Sequence, residues 1–423
     1  MALLSSPSFD EVVTNYKEAS MLEAAARRFV NRFLSSYISS GCLILHESNG
    51  SKLTFSGTND DQCSLKVDLD VINPQFYWKV MTRGDVGLAD AYIDGDISLP
   101  DADKGLFNLF MLMLANKPPS KLKNKRGWWT PLLFTAVLGS AKIFYHHFLK
   151  QNSLTQARRN ISRHYDLSND VFALFLGETM IYSTGIFKTQ DEDLKTAQLR
   201  KISVLVDKAR IDKKHHVLDI GCGWGTFGIE VVRRTGCKYT GITLSQQQLN
   251  FAQLKVKQAD LQDNITFELC DYRELPKIHK YDRIISCEMI EHVGDEYMDE
   301  FFGCCESLLA KDGLLVLQFT SMADEEYDEH RRSASFMNEY IFPGGLLPSF
   351  SRVTSAMKNS SRLSLILELG FDEKFIRTWE YYFDHCASGF KTYMLGNYQV
   401  VFSRPGNLKA LGDPYQGFPS AYH

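Results

Sequence analysis

Short apolar runs alternate with helix-compatible stretches through the second half of the chain. Apolar runs bounded by turn residues predict strands at residues 216–220, 237–243, 265–269, 281–287 and 313–319. A further strand is predicted at 396–404. Strands that alternate with helices form a mostly parallel sheet covered on both faces. The pattern therefore predicts an α/β domain with a Rossmann-like sheet.

The first half of the chain has a weaker pattern, which predicts a smaller α+β domain. A helix is expected near residues 22–39, and short alternating segments follow at 53–55 and 64–69 before more helix. Pro118 and Pro119, followed by a basic run, mark the end of this region. After the run, residues 153–209 are interpreted as helical, with a helix cap at Ser168.

A glycine-rich turn directly follows the first strand of the α/β pattern. In residues 217–225, VLDIGCGWG, an apolar strand that contains Asp219 runs into three alternating glycines. Such glycines allow a tight turn and the close approach of a ligand. A second strand at 238–245, KYTGITLS, ends in a polar turn, where a βαβ unit makes its ribose contacts. Because the lysine-containing phosphate motif of ATPases is absent from the sequence, S-adenosylmethionine is favoured over a diphosphate ligand. The alternative is a structural turn in an unrelated α/β protein.

Charge and cysteine content narrow the class of protein. The formal net charge of −4 argues against a nucleic-acid-binding protein as a whole. The nine cysteines include no CxxC pair and have no scaffold spacing, so neither a metal cluster nor a disulfide framework is expected. A reducing cytoplasm fits this usage best. The N-terminus has neither a basic start nor a long apolar core, so no signal peptide is expected.

A basic cluster beside two indoles predicts contact with a membrane surface. The cluster precedes an apolar stretch at 130–149 that is too short and too polar to span a bilayer. Its members are Lys117, Lys121, Lys123, Lys125, Arg126, Trp128 and Trp129. Cations are attracted to anionic headgroups, and Trp favours the membrane interface. The alternative is a solvated linker that leads into a packed helix.

Seven motifs occur in a fixed order along the chain. They are HYDLSND at 164–170, MIYS at 180–183, the glycine turn, GITLS at 241–245, EHVG at 291–294, YIFPG at 340–344 and QVVFSR at 399–404. In this order they resemble the cyclopropane-fatty-acyl-phospholipid synthases, over roughly residues 25–407. The stretch 375–382, FIRTWEYY, is similar to the plant branch. The resemblance implies a class I methyltransferase sheet with a small α+β N-terminal domain. It also implies methyl transfer from S-adenosylmethionine to the double bond of an acyl chain on a membrane phospholipid, which gives a cyclopropane fatty acid.

The same resemblance implies a domain plan. An N-terminal lipid-associated domain is expected at 1–116, a basic, aromatic linker at 117–152 and the methyltransferase domain at 153–423. Plant relatives often carry a flavin-oxidase-like domain in front of this unit, and we expect neither that domain nor FAD here. A homodimer is suggested by the family, and the chain is expected to be cytoplasmic and peripherally bound to the membrane.

Individual residues acquire expected roles through the resemblance. Those around the cofactor would be Tyr182 and Ser183 near the methionine part, Gly221, Cys222 and Gly223 along its length, Thr243, Ser245 and Gln248 near the ribose, and Tyr272 and Arg273 beside the adenine. Each could otherwise be an ordinary loop residue. No metal ligand is expected.

The chemistry requires two further functions. An alkene is a poor nucleophile, so its methylation leaves positive charge on carbon, and a base must then remove a proton to close the ring. Glu291 matches the carboxylate that would stabilise this cation, and the family is thought to hold a bicarbonate ion as the base. His292 is expected to orient Glu291. Cys386 matches a cysteine linked with activity in the family, but because no covalent nucleophile is needed, a packing role is favoured for it.

Three departures from the family pattern bear on activity. Thr184 replaces a cysteine, and Gln318 replaces a histidine of bacterial members, although bicarbonate could still be held by backbone groups, Gln318 and Glu291. A strand and a helix that carries a bicarbonate-binding tyrosine have no counterpart after Ser364, where 365–369 could serve as a shortened strand. The lipid methyltransferase therefore has two alternatives, a cofactor- or lipid-binding remnant without turnover and a small-molecule N-methyltransferase on the same scaffold.

Overall fold

The computed structural model describes residues 21–57, 65–116, 152–189, 191–332, 336–365 and 395–403. The chain divides into two compact units, Met1–Ile143 and Phe144–His423. All but one residue of the expected linker at 117–152 lie outside the described residues. The expected domain boundaries and the lipid association of the first domain therefore stay predictions.

The first unit packs helices against a four-stranded sheet. Its elements are α1 (Met21–Tyr37), β1 (Cys42–Glu47), β2 (Lys52–Ser56), β3 (Lys66–Val71), α2 (Gln75–Ile93), β4 (Ile97–Ser98) and α3 (Gly105–Ala115). The strand order is β2-β1-β3-β4, and only the central pair, β1 and β3, is parallel. Val30, Leu45 and Leu69 lie in the shared core. This is the α+β composition that the sequence predicts.

Asn116 connects the end of α3 to the residues that precede β1. Its side-chain oxygen accepts hydrogen bonds from the backbone N–H groups of Ser39 at 2.7 Å and Ser40 at 2.9 Å. Its amide nitrogen donates to the carbonyls of Ser40 and Leu112 at 2.9 and 2.8 Å. The side chain is buried. Because buried backbone groups that lose a partner are costly, this one amide stabilises the corner of the unit.

The second unit contains a seven-stranded sheet with helices on both faces. Its elements are α4 (Leu154–Tyr165), α5 (Asn169–Leu176), α6 (Leu194–Ala209), β5 (His216–Ile220), α7 (Thr226–Thr235), β6 (Lys238–Thr243), α8 (Gln246–Gln258), β7 (Ile265–Leu269), β8 (Tyr281–Cys287), α9 (Met298–Leu308), β9 (Leu309–Met322), α10 (Asp324–His330), α11 (Phe350–Ser360), β10 (Ser364–Leu365) and β11 (Leu395–Ser403). The strand order is β10-β11-β9-β8-β5-β6-β7. Neighbours from β9 to β7 are parallel, whereas β11 is antiparallel to both of its neighbours.

Successive side chains of the central strand enter the cores on opposite faces of the sheet. Val217 packs in the apolar cluster that contains Ile202 of α6, and Leu218 packs in the cluster that contains Phe301 of α9. A strand that is buried on both faces favours apolar residues at nearly every position. This preference explains why continuous apolar runs predict these strands correctly. All six predicted strands are present, and β9 extends beyond its predicted bounds of 313–319.

The helical interpretation of residues 153–209 is wrong in part. Three helices occupy the region, and residues 181–189 and 191–193 are not helical. In that stretch several backbone groups bond to residues of other segments. The Gln198 amide donates to the Ser183 carbonyl at 2.6 Å, and the Thr184 N–H donates to the Glu288 carboxylate at 3.0 Å. The cap at Ser168 is confirmed, since its hydroxyl accepts from the Asp170 N–H at 3.1 Å.

A short strand lies at the position where the shortened strand is expected. Strand β10 pairs Ser364 and Leu365 with Ser403 and Phe402 of β11. Residues 366–394 lie outside the described residues, so the remainder of the expected strand at 365–369 is not seen. The internal loss after Ser364 stays a prediction.

Replacement of Asn116 by Ala should destabilise the first unit by roughly 1–3 kcal/mol, because two backbone donors and two carbonyls lose their partner. Chemical denaturation of the full chain measures the loss. The control is Asn49→Ala, whose exposed side chain accepts one bond from the Ser51 N–H at 2.8 Å. The control should change stability by no more than about 0.5 kcal/mol. Equal effects of the two substitutions would contradict the role of Asn116.

Candidate active site

The glycine turn lies at the carboxyl end of β5 and is fixed to the neighbouring strand. The backbone N–H groups of Gly221 and Cys222 both donate to the carbonyl of Ile242, each at 3.0 Å. Beneath the turn, Asp219 is buried and accepts a hydrogen bond from the Tyr239 hydroxyl. Burial raises the pKa of Asp219 to about 7. The turn is therefore held by two strands before any ligand is present.

Glycine is favoured at positions 223 and 225 for different physical reasons. Gly223 has a φ of 55°, and a Cβ built on it would meet no protein atom within 4 Å. Because Gly223 also lines the cavity, such a Cβ would enter the ligand's space. Gly225 has a φ of 85°, and a Cβ there would lie 2.7 Å from the Cβ of Ala252 and 2.9 Å from the ring of Phe267. Gly223 is thus open to a ligand, whereas Gly225 is required by packing.

A cavity of about 1120 Å³, measured with its open mouth, lies against this turn. Nine of the ten expected cofactor residues line it, namely Tyr182, Ser183, Gly221, Cys222, Gly223, Thr243, Gln248, Tyr272 and Arg273. The expected cofactor residues, which come from several separate segments of the chain, therefore converge on one cavity.

The ribose end of the cavity is arranged by hydrogen bonds between its own side chains. The Thr243 hydroxyl donates to the side-chain oxygen of Gln248 at 2.6 Å, which orients the Gln248 amide. Ser245, the tenth expected cofactor residue, is buried and does not line the cavity. Its hydroxyl accepts from the Gln248 N–H at 3.1 Å and donates to Asp166 at 2.5 Å. Ser245 therefore caps α8 and supports the ribose end from behind.

The end of the cavity where the adenine is expected contains a charged pair, of which the sequence analysis assigned only Arg273. The Arg273 guanidinium donates to both carboxylate oxygens of Asp271, with both distances at 2.8 Å. It also donates to the backbone carbonyl of Asn152 at 2.9 Å and lies 5.3 Å from the ring centres of Tyr272 and Tyr297. A bidentate pair of this kind fixes the plane of the guanidinium. Arg273 is thus held as one wall of the cavity.

Lys201 is a second residue that the sequence analysis missed. Its side chain is fully buried, lines the cavity, and donates to the Ser183 hydroxyl. Gln198, one turn earlier on α6, donates to the Ser183 carbonyl at 2.6 Å. The two α6 side chains fix the Tyr182-Ser183 stretch. The sequence contains a pattern that could have identified this residue. Lys201 lies between the buried Ala197 and Leu205, so a lysine interrupts the apolar stripe of α6.

Glu291 lies behind the cavity wall. One of its oxygens accepts from the Thr320 N–H at 2.7 Å, and the other is buried without a hydrogen-bond partner among the described residues. Burial, together with the nearby carboxylate of Glu288, raises the pKa of Glu291 to about 8. Glu291 does not line the cavity, whereas Glu288 does. The pair places one carboxyl group at the surface of the cavity and one directly beneath it.

The Glu288 carboxylate accepts the hydrogen bonds that a small bound anion would need. One carboxylate oxygen accepts from the Thr184 N–H at 3.0 Å and from the Gln318 amide at 2.8 Å. These are two of the groups that the resemblance suggested for bicarbonate. An added anion would also face the Glu288 carboxylate at close range. The described residues therefore do not fit a bicarbonate ion, and the expectation of bicarbonate stays a prediction without support from this geometry.

Aromatic rings enclose the part of the cavity that adjoins these carboxyl groups. The ring centre of Tyr165 is 6.0 Å from those of Tyr182 and Trp224 and 5.9 Å from that of His292. Burial, and then the neighbouring His164, lowers the pKa of His292 to about 4. Its imidazole is therefore neutral at physiological pH. A neutral imidazole and three aromatic rings suit a positively charged ligand, which ring faces attract.

Cys386 lies outside the described residues, so its expected role stays a prediction. His292 contacts the Tyr165 hydroxyl at 3.3 Å, and no described hydrogen bond joins its ring to Glu291. The expected orientation of Glu291 by His292 is therefore not seen. Glu291 is instead held through its contact with the Thr320 N–H.

The strand order of the sheet, with a glycine turn at the carboxyl end of β5, defines a class I methyltransferase. The family model for mycolic acid cyclopropane synthetase matches residues 152–367. The match spans just over half of the chain and begins at the first described residue of the second unit. The chain belongs to this family of S-adenosylmethionine-dependent, cyclopropane synthase-like methyltransferases.

Several characterised proteins are similar to the chain. Tuberculostearic acid methyltransferase UfaA1 of Mycobacterium tuberculosis is 31% identical over 362 residues, which cover 78% of this chain and 81% of that protein. Cyclopropane-fatty-acyl-phospholipid synthase of Escherichia coli K12 is 28% identical over 365 residues, or 81% and 89% of the two chains. The structure of mycolic acid cyclopropane synthase CmaA1 complexed with SAH and CTAB is 26% identical, with a TM-score of 0.48, and matches 58% of this chain and 98% of that one.

Gly223→Ala should weaken the binding of S-adenosylhomocysteine by about tenfold or more, because the new methyl group enters the cavity. Calorimetric titration measures the affinity. Gly225→Ala is the matched control, since its Cβ would collide with Ala252 and Phe267. The control should lower the melting temperature well below that of Gly223→Ala. Unchanged affinity in Gly223→Ala would show that Gly223 does not face the cofactor.

Glu291→Gln should flatten the pH dependence of stability. In the wild type the folded-state pKa of about 8 lies above the ordinary value of 4.5, so the folded protein keeps a proton that the unfolded chain releases. The contribution of this group to stability is therefore greatest below about pH 4.5 and is lost as the pH rises to about 8. Urea unfolding at pH 5, 6, 7 and 8 measures the slope.

The exposed carboxylate of Glu325 on α10 provides the control for this experiment. Glu325→Gln should keep the wild-type decline of stability with pH. A decline in Glu291→Gln as steep as that of the wild type would show that Glu291 does not hold the proton.

Proposed function

We propose that the chain transfers the methyl group of S-adenosylmethionine to the double bond of an unsaturated acyl chain on a phospholipid, with formation of a cyclopropane ring. One observation carries this proposal. At one place the glycine turn, an aromatic wall and the carboxyl group of Glu288 line the cavity, and the carboxyl group of Glu291 lies behind its wall. An alkene methylation needs this combination, because it must position a cofactor, tolerate a carbocation and remove a proton.

The residues of the cavity divide these tasks. Bound S-adenosylmethionine would supply an electrophilic methyl group. Tyr165, Tyr182 and Trp224 line the cavity, where aromatic rings would stabilise positive charge and exclude water from a carbocation that water would trap. The carboxyl group of Glu288, which lines the same space, supplies a proton acceptor. The residues of the chain thus stabilise the carbocation and accept its proton, whereas the cofactor would supply the methyl group.

A lipid substrate is supported by the names of the relatives. They include a tuberculostearic acid methyltransferase, a cyclopropane-fatty-acyl-phospholipid synthase and, from Candida albicans, a sphingolipid C9-methyltransferase that is 36% identical over 226 residues. The last match covers 51% of this chain and 44% of that protein. The phospholipid is proposed because the synthase match extends along 89% of its relative.

We also propose that the chain works at a membrane surface. No helix in the described parts of the chain has the length and apolar character to cross a bilayer. The basic, Trp-containing cluster within 117–129 supports binding to anionic headgroups, although it lies outside the described residues. A peripheral, cytoplasmic position and a homodimer remain part of this proposal.

The test incubates the purified chain with radiolabelled S-adenosylmethionine and vesicles of phospholipid with unsaturated acyl chains, followed by analysis of the acyl chains. Labelled cyclopropane chains are expected, and vesicles of fully saturated phospholipid should stay unlabelled. Labelled methyl-branched chains would show that the proposed product is wrong and that the proposed substrate is right. Label on added amines alone would favour an N-methyltransferase. Cofactor binding by calorimetry without any label would favour the remnant.

A further inference from the structure

Glu288 adopts a backbone conformation that a residue with a Cβ rarely occupies. It directly follows β8 with a φ of 51°, and its N–H donates to the Gln318 carbonyl at 2.7 Å. A left-handed conformation costs a residue other than glycine about 1 kcal/mol. Such a cost at a cavity wall is a reason to look for a function of the side chain.

The side chain is held by a relay of donors from three parts of the unit. The Gln399 amide donates to the Gln318 side-chain oxygen at 2.7 Å, and this bond fixes the orientation of the Gln318 amide. The Gln318 amide and the Thr184 N–H then donate to one oxygen of Glu288. The three donor residues are far apart in the sequence, so the fold itself assembles this site. Its centre is a carboxylate that the protein supplies.

We infer that Glu288 is the general base that accepts the proton released on ring closure, and that it replaces an exogenous bicarbonate ion. The inference rests on the proposed alkene methylation. Its geometric basis is that Glu288 lines the cavity while occupying the Thr184 and Gln318 donors that an anion would need. The protein thus carries its base covalently, on the residue that directly follows β8.

The step balances without a further reactant. The π electrons of the alkene form a bond to the transferred methyl carbon, and the methyl–sulfur bond breaks with its electron pair on sulfur. The other alkene carbon is then a cation. A C–H bond of the new methyl group breaks, and its electron pair closes the three-membered ring. The proton goes to a Glu288 oxygen and afterwards to solvent.

Glu291 complements this base. Burial and the nearby Glu288 carboxyl group raise the pKa of Glu291 to about 8, so Glu291 keeps a proton at neutral pH. The Glu288 carboxyl group instead accepts the hydrogen bonds of the Thr184 N–H and the Gln318 amide. Glu291 is in this arrangement a positioning residue. Glu288, the proposed base, lies at the cavity surface that the substrate would reach.

Two substitutions at position 288 test the inference. Glu288→Gly removes the base, suits the left-handed φ and leaves the Thr184 and Gln318 donors for an added anion. Glu288→Gln also removes the base, but its side chain still fills the same space. The full chain of each variant is assayed with unsaturated phospholipid vesicles in bicarbonate-free buffer and again with added bicarbonate. Thermal unfolding checks that each variant is folded.

We expect wild-type turnover that does not depend on bicarbonate, and a loss of at least about 100-fold in both variants. Added bicarbonate should restore turnover in Glu288→Gly and not in Glu288→Gln. Calorimetric titration with bicarbonate in the presence of S-adenosylhomocysteine gives a second readout, in which only Glu288→Gly should bind. Cofactor affinity should stay close to the wild-type value in both.

Three outcomes would overturn the inference. They are bicarbonate-dependent turnover in the wild type, bicarbonate binding to the wild type by calorimetry, and full activity of Glu288→Gln. A wild-type chain that transfers no methyl group to any acyl chain would instead refute the proposed function. The calorimetric comparison would still decide in that case whether Glu288 fills an anion site.

Discussion

The burial of both sheet faces in the second unit is the constraint on which its other features depend. Val217 and Leu218, adjacent in the chain, pack into cores on opposite faces, so most positions in the middle of the sheet are apolar. The turns that line the cavity follow the ends of the strands. The glycine turn after β5, the polar turn after β6 and the carboxyl groups after β8 therefore lie around a single cavity.

The sequence predicted those parts of the site that follow from one local pattern. A continuous apolar run followed by glycines identified β5 and its turn, and the position after β8 identified a carboxylate at Glu291. Glu288 was missed because its donors, Thr184 and Gln318, are 104 and 30 residues away along the chain. Only the folded arrangement shows that they converge. Lys201 was missed for a related reason, since nothing near it in the sequence indicates Ser183 as its partner.

The sequence also could not show whether a residue lines the cavity or lies behind its wall. Ser245 and Thr243 are two residues apart, but the hydroxyl of Ser245 caps α8 and meets Asp166 from behind the cavity, while Thr243 lines it. Glu288 and Glu291 are three residues apart on a turn, and only Glu288 lines the cavity. Which of two neighbouring residues lines the cavity depends on the exact backbone path of the loop. Motif order therefore located the site well, whereas it did not separate contact residues from their supports.

The hydrogen bond from Tyr239 to the buried Asp219 has a consequence for how the enzyme meets its cofactor. It joins β6 to β5 directly below the glycine turn, and the Ile242 carbonyl holds the turn from the same strand. The turn does not have to become ordered when a ligand arrives. Cofactor association should therefore carry little conformational entropy penalty, because the residues of the turn already occupy the conformation that the ligand meets.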